Sequence, residues 1–459
     1  MTYFLLMDFG TTSLKTAVVD LDTGRFSHIK SHLSLHNCST QPGHYEVSPE
    51  ALTDRFQTVC DLYFNELGVP FEGIAVCSEQ NGVLVLDEHD QPVTPYISWK
   101  DERSLETVAG VSTFALVAER LGGDFKRITG WRPGPNLPLM NVAHLGRLGE
   151  LPERVRLVTL PEWLDLCSGD STHVVHDTML HCLGFYDVRQ RETSADLTAF
   201  VAELTGTRCA FNPTAPTGTV SGYWRHQGRK IPIYTGIGDH QCSVLGACNE
   251  PRRTISLNIG TGSQVAVIDG EPLGAEMELR PYFDGRLLPA ITRIPAGRAL
   301  ANFVGFLDEI ARAGGGEGDF WHMLGELDEA ALARATLRFD LAVFSSAWNY
   351  QGGGQIANIA DGTLTLKNYL ASLLKCWIAQ YPEVVRLFDP AHDAARCILS
   401  GGLPRRLPHL AGILSTMSDY ETWPACEVDE SLLGLRTVAL VAAGRAEGCL
   451  EGQRVFGRR

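Results

Sequence analysis

The chain has 459 residues, 44% of them hydrophobic, which is enough for two or three domains with ordinary cores. Its 39 basic and 54 acidic side chains give a formal net charge of −15, which argues against nucleic acid or an anionic membrane as the main partner. Because there is no apolar run near the ~18 residues of a membrane span, no secretory signal at the N-terminus and no metal-ligand or CxxC spacing among the 12 cysteines, we expect a soluble cytoplasmic protein.

An apolar hairpin is predicted at the start of the chain. Residues 4–7 and 17–20 are predicted strands, and a turn rich in Gly, Thr and Ser separates them at residues 10–13. Such a turn offers backbone N–H groups and hydroxyls without bulk, as a closely bound phosphate requires. Asp8, Phe9 and Gly10 also spell a magnesium-binding motif of protein kinases. Only seven residues precede Asp8, however, and this excludes the layout of a protein kinase.

Helical and extended patterns alternate through the first half of the chain. The predicted helices are 51–67, 112–121 and 139–148, and the predicted strands are 73–77 and 82–87. Ser112 suits a helix N-cap, and Pro138 suits the first turn of a helix. This alternation predicts α/β domains.

A polar loop follows the predicted strand at 73–77. Glu79, Gln80 and Asn81 lie directly after this strand, and Trp99 and Asp101 follow further along. Carboxylate and amide groups near an indole suit a polyhydroxylated ligand, which offers hydroxyl groups and an apolar face. A solvated surface loop is the alternative interpretation.

Asp239 stands where a predicted strand meets small residues able to start a helix, in the segment IPIYTGIGDHQCSVLGA (231–247). An aspartate at such a junction is either a helix N-cap or a carboxylate placed to accept a proton from an alcohol. The neighbouring His240 is predicted to be structural, because adjacent side chains diverge at the start of a helix.

A second hairpin repeats the first about half the chain later. Gly260-Thr261-Gly262-Ser263 separates predicted strands at 254–259 and 264–268, as Gly10-Thr11-Thr12-Ser13 does in the first hairpin. Two such turns predict two related domains holding a nucleotide, with a boundary near 247–253. Neither turn is a Walker loop or a GxGxxG motif, which excludes a dinucleotide-dependent dehydrogenase. Apolar residues at helical spacing between 366 and 378 are predicted to be core.

In this order the segments resemble the FGGY family of carbohydrate kinases, of the actin-like ATPase superfamily, over nearly the entire chain. MDFGTTSLKTAVVD (7–20) and LNIGTGSQVAV (257–267) are similar to the family's two phosphate motifs. GDHQCSVLGA (238–247) is similar to the segment with the catalytic aspartate. SGGLPRRLPHLAGILS (400–415) resembles the turn and helix that cover adenosine, and EVDESLLGLRTVALVAAG (427–444) resembles the closing helix.

The resemblance implies an α/β fold of two duplicated actin-like, ribonuclease H-like ATPase domains with an interdomain cleft, spanning residues 1–248 and 249–459. It also implies that Asp239 is the catalytic base, that Asp8 holds Mg²⁺ beside the transferred phosphate, and that ATP is the phosphoryl donor. The other implied contacts are to the nucleotide by Thr11, Thr12, Ser13, Gly260, Thr261, Gly401 and Gly402, and to the sugar by Glu79, Gln80, Asn81, Trp99 and Asp101.

Within the family, segments 280–310 and 356–378 are most similar to sedoheptulokinase, so the expected substrate is a ketose such as sedoheptulose. Residues 79–82 read Glu-Gln-Asn-Gly where many pentulose and heptulose kinases have Gln-Met-His-Gly, and Leu403 replaces a common third glycine of the adenosine turn. These departures keep xylulose, ribulose, glycerol and deoxyketoses open as acceptors. A non-catalytic sugar- or nucleotide-binding relative is the alternative class, and a homodimer is compatible with the sequence.

Overall fold

The chain divides into two α/β units in a computed structural model, which describes residues 2–248, 250, 253–270, 274, 276–344, 347–424 and 426–456. Unit 1 comprises Met1–Gly246, Leu279–Leu287 and Ser431–Arg459, and unit 2 comprises Ala247–Glu278 and Leu288–Glu430. The first change of unit follows Gly246, and the predicted boundary region, 247–253, starts at the next residue. The chain also returns to unit 1 twice, in two segments that the predicted division after residue 248 assigned to the second domain.

The described strands are listed in chain order: β1 Tyr3–Phe9, β2 Ser13–Asp20, β3 Phe26–Leu33, β4 Glu46–Val47, β5 Gly73–Ser78, β6 Leu84–Leu86, β7 Tyr96–Ile97, β8 Thr107–Val108, β9 Val111–Ser112, β10 Arg154–Val158, β11 Tyr186–Asp187, β12 Glu192–Thr193, β13 Arg208–Ala210, β14 Val220–His226, β15 Arg229–Tyr234, β16 Ile237–Gly238, β17 Thr254–Ile259, β18 Ser263–Val267, β19 Glu278–Pro281, β20 Leu287–Ile294, β21 Arg338–Asp340, β22 Gln355–Ala357, β23 Arg396–Ser400 and β24 Glu421–Trp423.

The α-helices are α1 Pro49–Asp61, α2 Thr113–Thr129, α3 Pro138–Leu148, α4 Leu160–Cys167, α5 Asp177–Leu180, α6 Ala195–Thr205, α7 Asp239–Ala247, α8 Gly297–Ala313, α9 Phe320–Gly325, α10 Glu329–Ala333, α11 Leu366–Phe388, α12 Leu410–Ser418, α13 Glu430–Ala442 and α14 Cys449–Phe456. None of the helices in the described ranges combines the length and the apolar character that crossing a membrane requires.

The main sheet of unit 1 has the strand order β14-β15-β5-β1-β2-β3, with β16 also pairing with β5. The opening hairpin β1–β2 is antiparallel, whereas β5 runs parallel to both β1 and β16. The sheet packs with α1 and α4 into one core, and residues of the segment 83–209 form a second core in the same unit.

Five strands of the unit 2 sheet, in the order β20-β18-β17-β23-β24, repeat this arrangement. Its hairpin β17–β18 is antiparallel, β17 runs parallel to β23, and β18 is antiparallel to β20. In unit 1 the corresponding strands are β1–β2, β5 and β3. The predicted duplication is therefore confirmed at the level of strand order.

Local chemistry accounts for most of the helix boundaries. The Ser112 hydroxyl accepts a hydrogen bond from the N–H of Ala115 at 3.2 Å, which confirms the predicted N-cap of α2. This helix continues past the predicted end at residue 121, because the chain kinks at Gly122 (φ 50°) and resumes a helical course to Gly130. Pro138 occupies the first turn of α3, as predicted.

The core of unit 2 is built around α11, which begins after the N-cap Thr365 and buries the predicted apolar stripe. Leu373 is fully buried in this helix, whereas Leu387, near its end, is 42% exposed. The two leucines therefore form a matched pair for testing how much the packing of α11 stabilises the unit.

Leu373→Ala should lower the free energy of unfolding by about 2–5 kcal/mol, because it removes buried methyl groups and leaves a cavity. Leu387→Ala should lower it by less than about 1 kcal/mol. Denaturant unfolding followed by circular dichroism measures both variants. Equal losses in the two variants would contradict the placement of α11 in the core.

Candidate active site

Three predicted site segments leave the sheet of unit 1 at one edge. Phe9 of β1 pairs with Ser78 of β5, and Ser78 pairs with Gly238 of β16, all in parallel register. Because the carboxyl ends of parallel strands meet at the same edge, the segments that follow them start side by side. These segments are the turn after β1, the loop after β5 and the helix that begins at Asp239.

Asp239 is the first residue of α7 and is partly exposed. Its Oδ1 accepts a hydrogen bond from the N–H of His240 at 2.7 Å. Burial raises the pKa of Asp239 to about 7, with a further contribution from the negative charge of Asp8. The carboxyl therefore changes protonation near neutral pH, which suits a general base.

Asp8 is buried near the end of β1, with 4% of its surface exposed. Its Oδ2 accepts a hydrogen bond from the Ser431 hydroxyl at 2.6 Å and lies 3.6 Å from Lys15 Nζ. Ser431 is 423 residues away along the chain, and it lies in a segment that the predicted domain division assigned elsewhere. Both partners favour the ionised carboxylate.

The first Gly-Thr turn contacts Trp99 through the side chain of Thr11. The Thr11 hydroxyl accepts a hydrogen bond from Trp99 Nε1 at 2.8 Å, so this side chain faces the indole. Thr12 is exposed and Ser13 is half-buried at the start of β2. Of the three predicted phosphate contacts, Thr12 has the most accessible side chain.

Glu79 lies at the inner end of the polar loop. Its Oε1 accepts hydrogen bonds from the hydroxyls of Ser98 at 3.0 Å and Tyr96 at 3.3 Å. Burial raises the pKa of this carboxyl. Glu79 and Thr11 both line a cavity at this edge, together with apolar side chains and Tyr45. Glu79, which stands where many pentulose and heptulose kinases have Gln, is therefore held by hydroxyl donors.

Gln80 and Asn81 occupy the tip of the loop. Gln80 Nε2 donates a hydrogen bond to the Thr178 carbonyl at 2.9 Å. Asn81 has a φ of 61°, a left-handed conformation that asparagine tolerates better than most residues. Its Oδ1 is buried and accepts no hydrogen bond from the residues that the structure describes. Because a buried acceptor without a donor is costly, this oxygen is a candidate ligand contact.

Trp99 and Asp101 differ in their exposure and in their hydrogen-bond partners. Trp99 is half-buried and faces Thr11. Asp101 is fully buried, and its two oxygens accept hydrogen bonds from the backbone N–H of Tyr45 and from Arg103 at 2.7 to 3.0 Å. Since both oxygens are already engaged, the structure favours a supporting part for Asp101 over direct contact with a sugar.

The predicted nucleotide residues of unit 2 also share one sheet edge. Asn258 of β17 pairs with Ser400 of β23 in parallel, so the turn at Gly260–Gly262 and the turn at Gly401–Gly402 start side by side. A Cβ at Gly401 would lie 2.5 Å from the Ile259 carbonyl, and the residue has a φ of 89°. Only glycine tolerates this combination of a close approach and a left-handed backbone.

The two unit 2 turns differ in how their backbone groups are used. The carbonyls of Gly260 and Thr261 accept hydrogen bonds from the first N–H groups of α8, at 3.1 and 2.9 Å. The N–H of Gly401 donates to the Glu430 carboxylate at 3.2 Å. A Cβ at Gly402 would meet nothing within 4 Å, so this residue borders open space. Thr261 and Gly402 are therefore the accessible members of the set.

Residues 3–246, more than half of the chain, match the FGGY family of carbohydrate kinases, N-terminal domain. The chain belongs to this family. The resemblance predicted from the sequence is therefore confirmed at family level.

Proteins that are similar to this chain in sequence or in structure include xylulose kinases. The chain is 24% identical over 300 residues to a xylulose kinase of Lactococcus lactis subsp. lactis, covering 63% of this chain and 57% of the relative. The solved xylulose kinase of Lactobacillus acidophilus aligns with a TM-score of 0.82 at 15% identity, covering 100% and 92% of the two chains. A gluconate kinase structure of the same species aligns at 0.81, also with 15% identity and coverage of 100% and 92%.

These likenesses show the fold and leave the acceptor undecided. Two structures with different named substrates align equally well, so the shared FGGY architecture does not select between them. The chain spans just over half the length of its Lactococcus relative. The similarity to sedoheptulokinase stays a prediction.

Four residues near the site had no assigned role in the sequence analysis. Ser431 and Lys15 contact Asp8, Thr178 holds Gln80, and Arg280 contacts His240. Lys15 lies in the first phosphate motif, whereas Ser431, Thr178 and Arg280 reach the site only through the fold. A signal for Ser431 existed in the resemblance of residues 427–444 to the closing helix, but that resemblance assigned no contact.

Asp239→Asn should make the protein more stable at pH 8. The folded-state pKa of about 7 exceeds the ordinary 3.8, so the native state binds the proton more tightly and wild-type stability falls as pH rises from about 4 to 7. The variant lacks this loss, and the difference at pH 8 should reach at most about 4 kcal/mol. It should disappear near pH 4.

Denaturant unfolding in the absence of divalent cations and nucleotide measures this difference, with the exposed Asp54→Asn as the matched control. A pH-independent difference, or equal behaviour of the two variants, would contradict the raised pKa of Asp239.

Proposed function

We propose that the chain transfers the γ-phosphoryl group of ATP to a hydroxyl of a ketose. The observation that carries this proposal is the position of Asp239, whose pKa is near 7, at the sheet edge that also bears the first Gly-Thr turn and the polar loop. Phosphoryl transfer needs an aligned hydroxyl, a group to accept its proton, and donors around the phosphate. Family membership supports the same reaction.

Asp239 acts as the base in this proposal. With a pKa of about 7 it is ionised in a large fraction of molecules at neutral pH and still binds a proton strongly enough to draw one from an alcohol. The hydroxyl proton passes to a carboxylate oxygen of Asp239 as the hydroxyl oxygen bonds to phosphorus. The bond from the γ-phosphorus to the bridging oxygen of ADP then breaks.

The nucleotide phosphates are assigned to the glycine-rich turns. Gly260, Gly401 and Gly402 have no side chain, Thr261 adds a hydroxyl, and Gly402 borders open space. Thr12 and Ser13 complete the set with hydroxyl and backbone donors. The Thr11 hydroxyl is bonded to Trp99, so we assign to Thr11 a backbone contact rather than a side-chain contact with phosphate.

Mg²⁺ fits the residues of unit 1. Asp8 offers a buried carboxylate, and its charge raises the pKa of Asp239, so a cation here would relieve a repulsion. No group of three or more His, Cys, Asp or Glu within the described ranges could hold a metal alone. This agrees with an ion that takes most of its ligands from phosphate and water. Asp8 would hold Mg²⁺, which would neutralise charge on the transferred phosphate.

Among ketoses, a pentulose of the xylulose type is favoured by the curated relatives, which are named xylulose kinases. Sedoheptulose is the second candidate, supported by the similarity of segments 280–310 and 356–378 to sedoheptulokinase. Asn81, Gln80, Glu79 and Trp99 are the proposed sugar contacts. The buried Asn81 Oδ1 would accept a hydrogen bond from a sugar hydroxyl.

ADP release in the presence of MgATP should rise when the correct ketose is supplied, across a panel of pentuloses, sedoheptulose, aldoses, polyols and sugar acids. Asp239→Asn should lower kcat by about 10²–10⁴-fold and change the KM for ATP by no more than about threefold, because it removes the proton acceptor. Asp54→Asn is the control. No sugar stimulation by any compound, or a near-normal kcat in the Asp239 variant, would overturn the proposal.

Asn81→His should change the order of kcat/KM values across the same panel. The substitution replaces an amide at the loop tip by the histidine that many pentulose and heptulose kinases carry, and so alters the donors facing the sugar. Asn302→His, at an exposed position of α8, is the matched control. An unchanged order in the Asn81 variant would indicate a solvated loop.

A further inference from the structure

One guanidinium in unit 1 comes from β19, a strand that no predicted site included. Arg280 is buried, with 5% of its surface exposed. The preceding residue, Leu279, donates its backbone N–H to the Gly130 carbonyl at 3.0 Å. A Cβ at Gly130 would lie 2.1 Å from the Leu279 carbonyl, so a glycine is required for this approach. The backbone contact therefore fixes where Arg280 enters the unit.

The Arg280 side chain stacks on an aromatic pair. Its guanidinium carbon lies 4.2 Å from the centre of the Trp131 ring, which is within the range of a cation–π interaction. His181 stacks on the same indole at 5.0 Å with an angle of 19° between the ring planes. Trp131 Nε1 donates to the His181 carbonyl at 3.1 Å, which holds the indole in place. The guanidinium thus rests on a fixed support.

From this support Arg280 Nη1 reaches two side chains close to Asp239 in the fold. It donates to His240 Nδ1 at 2.9 Å and approaches Gln80 Oε1 at 3.4 Å. Because a guanidinium only donates, His240 Nδ1 must be the acceptor, and its ring proton is on Nε2. The Gln80 carboxamide is likewise oriented, since its Nε2 donates to the Thr178 carbonyl at the other end.

The fixed histidine has an unused donor. His240 is buried, and its Nε2 has no hydrogen-bond partner among the residues that the structure describes. Burial, with the charge of Arg280, lowers the pKa of His240, so the ring is neutral. The ring is therefore neutral and held in one tautomer, with an N–H donor on Nε2, at the residue that follows Asp239.

We propose that Arg280 is a positioning residue for the acceptor sugar, acting through His240 and Gln80. It holds both side chains in one arrangement around Asp239, so that the acceptor hydroxyl meets the base in a reactive geometry. This rests on the proposed function, in which Asp239 is the base. It follows that Arg280, which lies 41 positions after Asp239 in the second half of the chain, affects kcat/KM for the sugar.

Arg280→Met should lower kcat/KM for the ketose by about 10- to 100-fold, since small misplacements of reacting groups cost that much. The KM for ATP should stay within about twofold. Arg280→Lys retains one donor for His240 and should lie between Arg280→Met and the wild type. Arg127→Met, an exposed arginine of the same unit, is the matched control and should resemble the wild type.

A double-substitution cycle separates positioning from mere structural support. If Arg280 acts through His240, then His240→Ala should cost much less in the Arg280→Met background than in the wild type. Should Arg280→Met fail to fold, the same cycle is run with Arg280→Lys. Thermal unfolding of each variant corrects the rates for the folded fraction.

Additive effects of the two substitutions, or losses that vanish after correction for the folded fraction, would overturn the positioning proposal. These outcomes leave the proposed function standing, because the wild type still phosphorylates its sugar. A wild type without sugar-stimulated turnover would instead overturn the proposed function.

Discussion

Parallel pairing of β5 with β1 and β16 is the constraint on which the rest of the site depends. It aligns the ends of three strands that are far apart in sequence, so Asp8, the loop at 79–81 and Asp239 emerge together. The pairing of β17 with β23 does the same for the two glycine-rich turns of unit 2. A slip of one register position would separate these groups and turn their side chains to the opposite face.

Placing several carboxylates at one edge has an electrostatic cost. Asp8 and Glu79 both raise the pKa of Asp239, beyond the contribution of burial, whereas Arg280 lowers it. Lys15 and Ser431 stabilise Asp8, and hydroxyl donors hold Glu79. The result is one carboxyl, that of Asp239, which titrates near neutrality, and a second carboxyl, that of Asp8, held by its own hydrogen bond and ion pair. Two residues of the same type therefore have different environments because their neighbours differ.

The proposed acceptor contacts lie in residues that the common fold does not constrain. Structures of a xylulose kinase and a gluconate kinase align with this chain equally well, so the overall fold does not select between their substrates. Asn81 has a backbone conformation and a buried oxygen suited to ligand contact, and neither follows from the strand pattern. The loop after β5 therefore carries features that the strand pattern alone does not predict.

The sequence by itself determined the two Gly-Thr hairpins, the alternation of strands and helices, and Asp239 at a strand-to-helix junction, because these depend on local composition and periodicity. Only the tertiary structure decided that Ser431 donates a hydrogen bond to Asp8 and that Arg280 donates one to His240. It also decided that Arg103 donates hydrogen bonds to the Asp101 carboxylate. Two segments, Leu279–Leu287 and Ser431–Arg459, return to unit 1. Their destination depends on packing between residues distant in sequence, such as the close approach of Leu279 to Gly130, and local patterns do not carry that information.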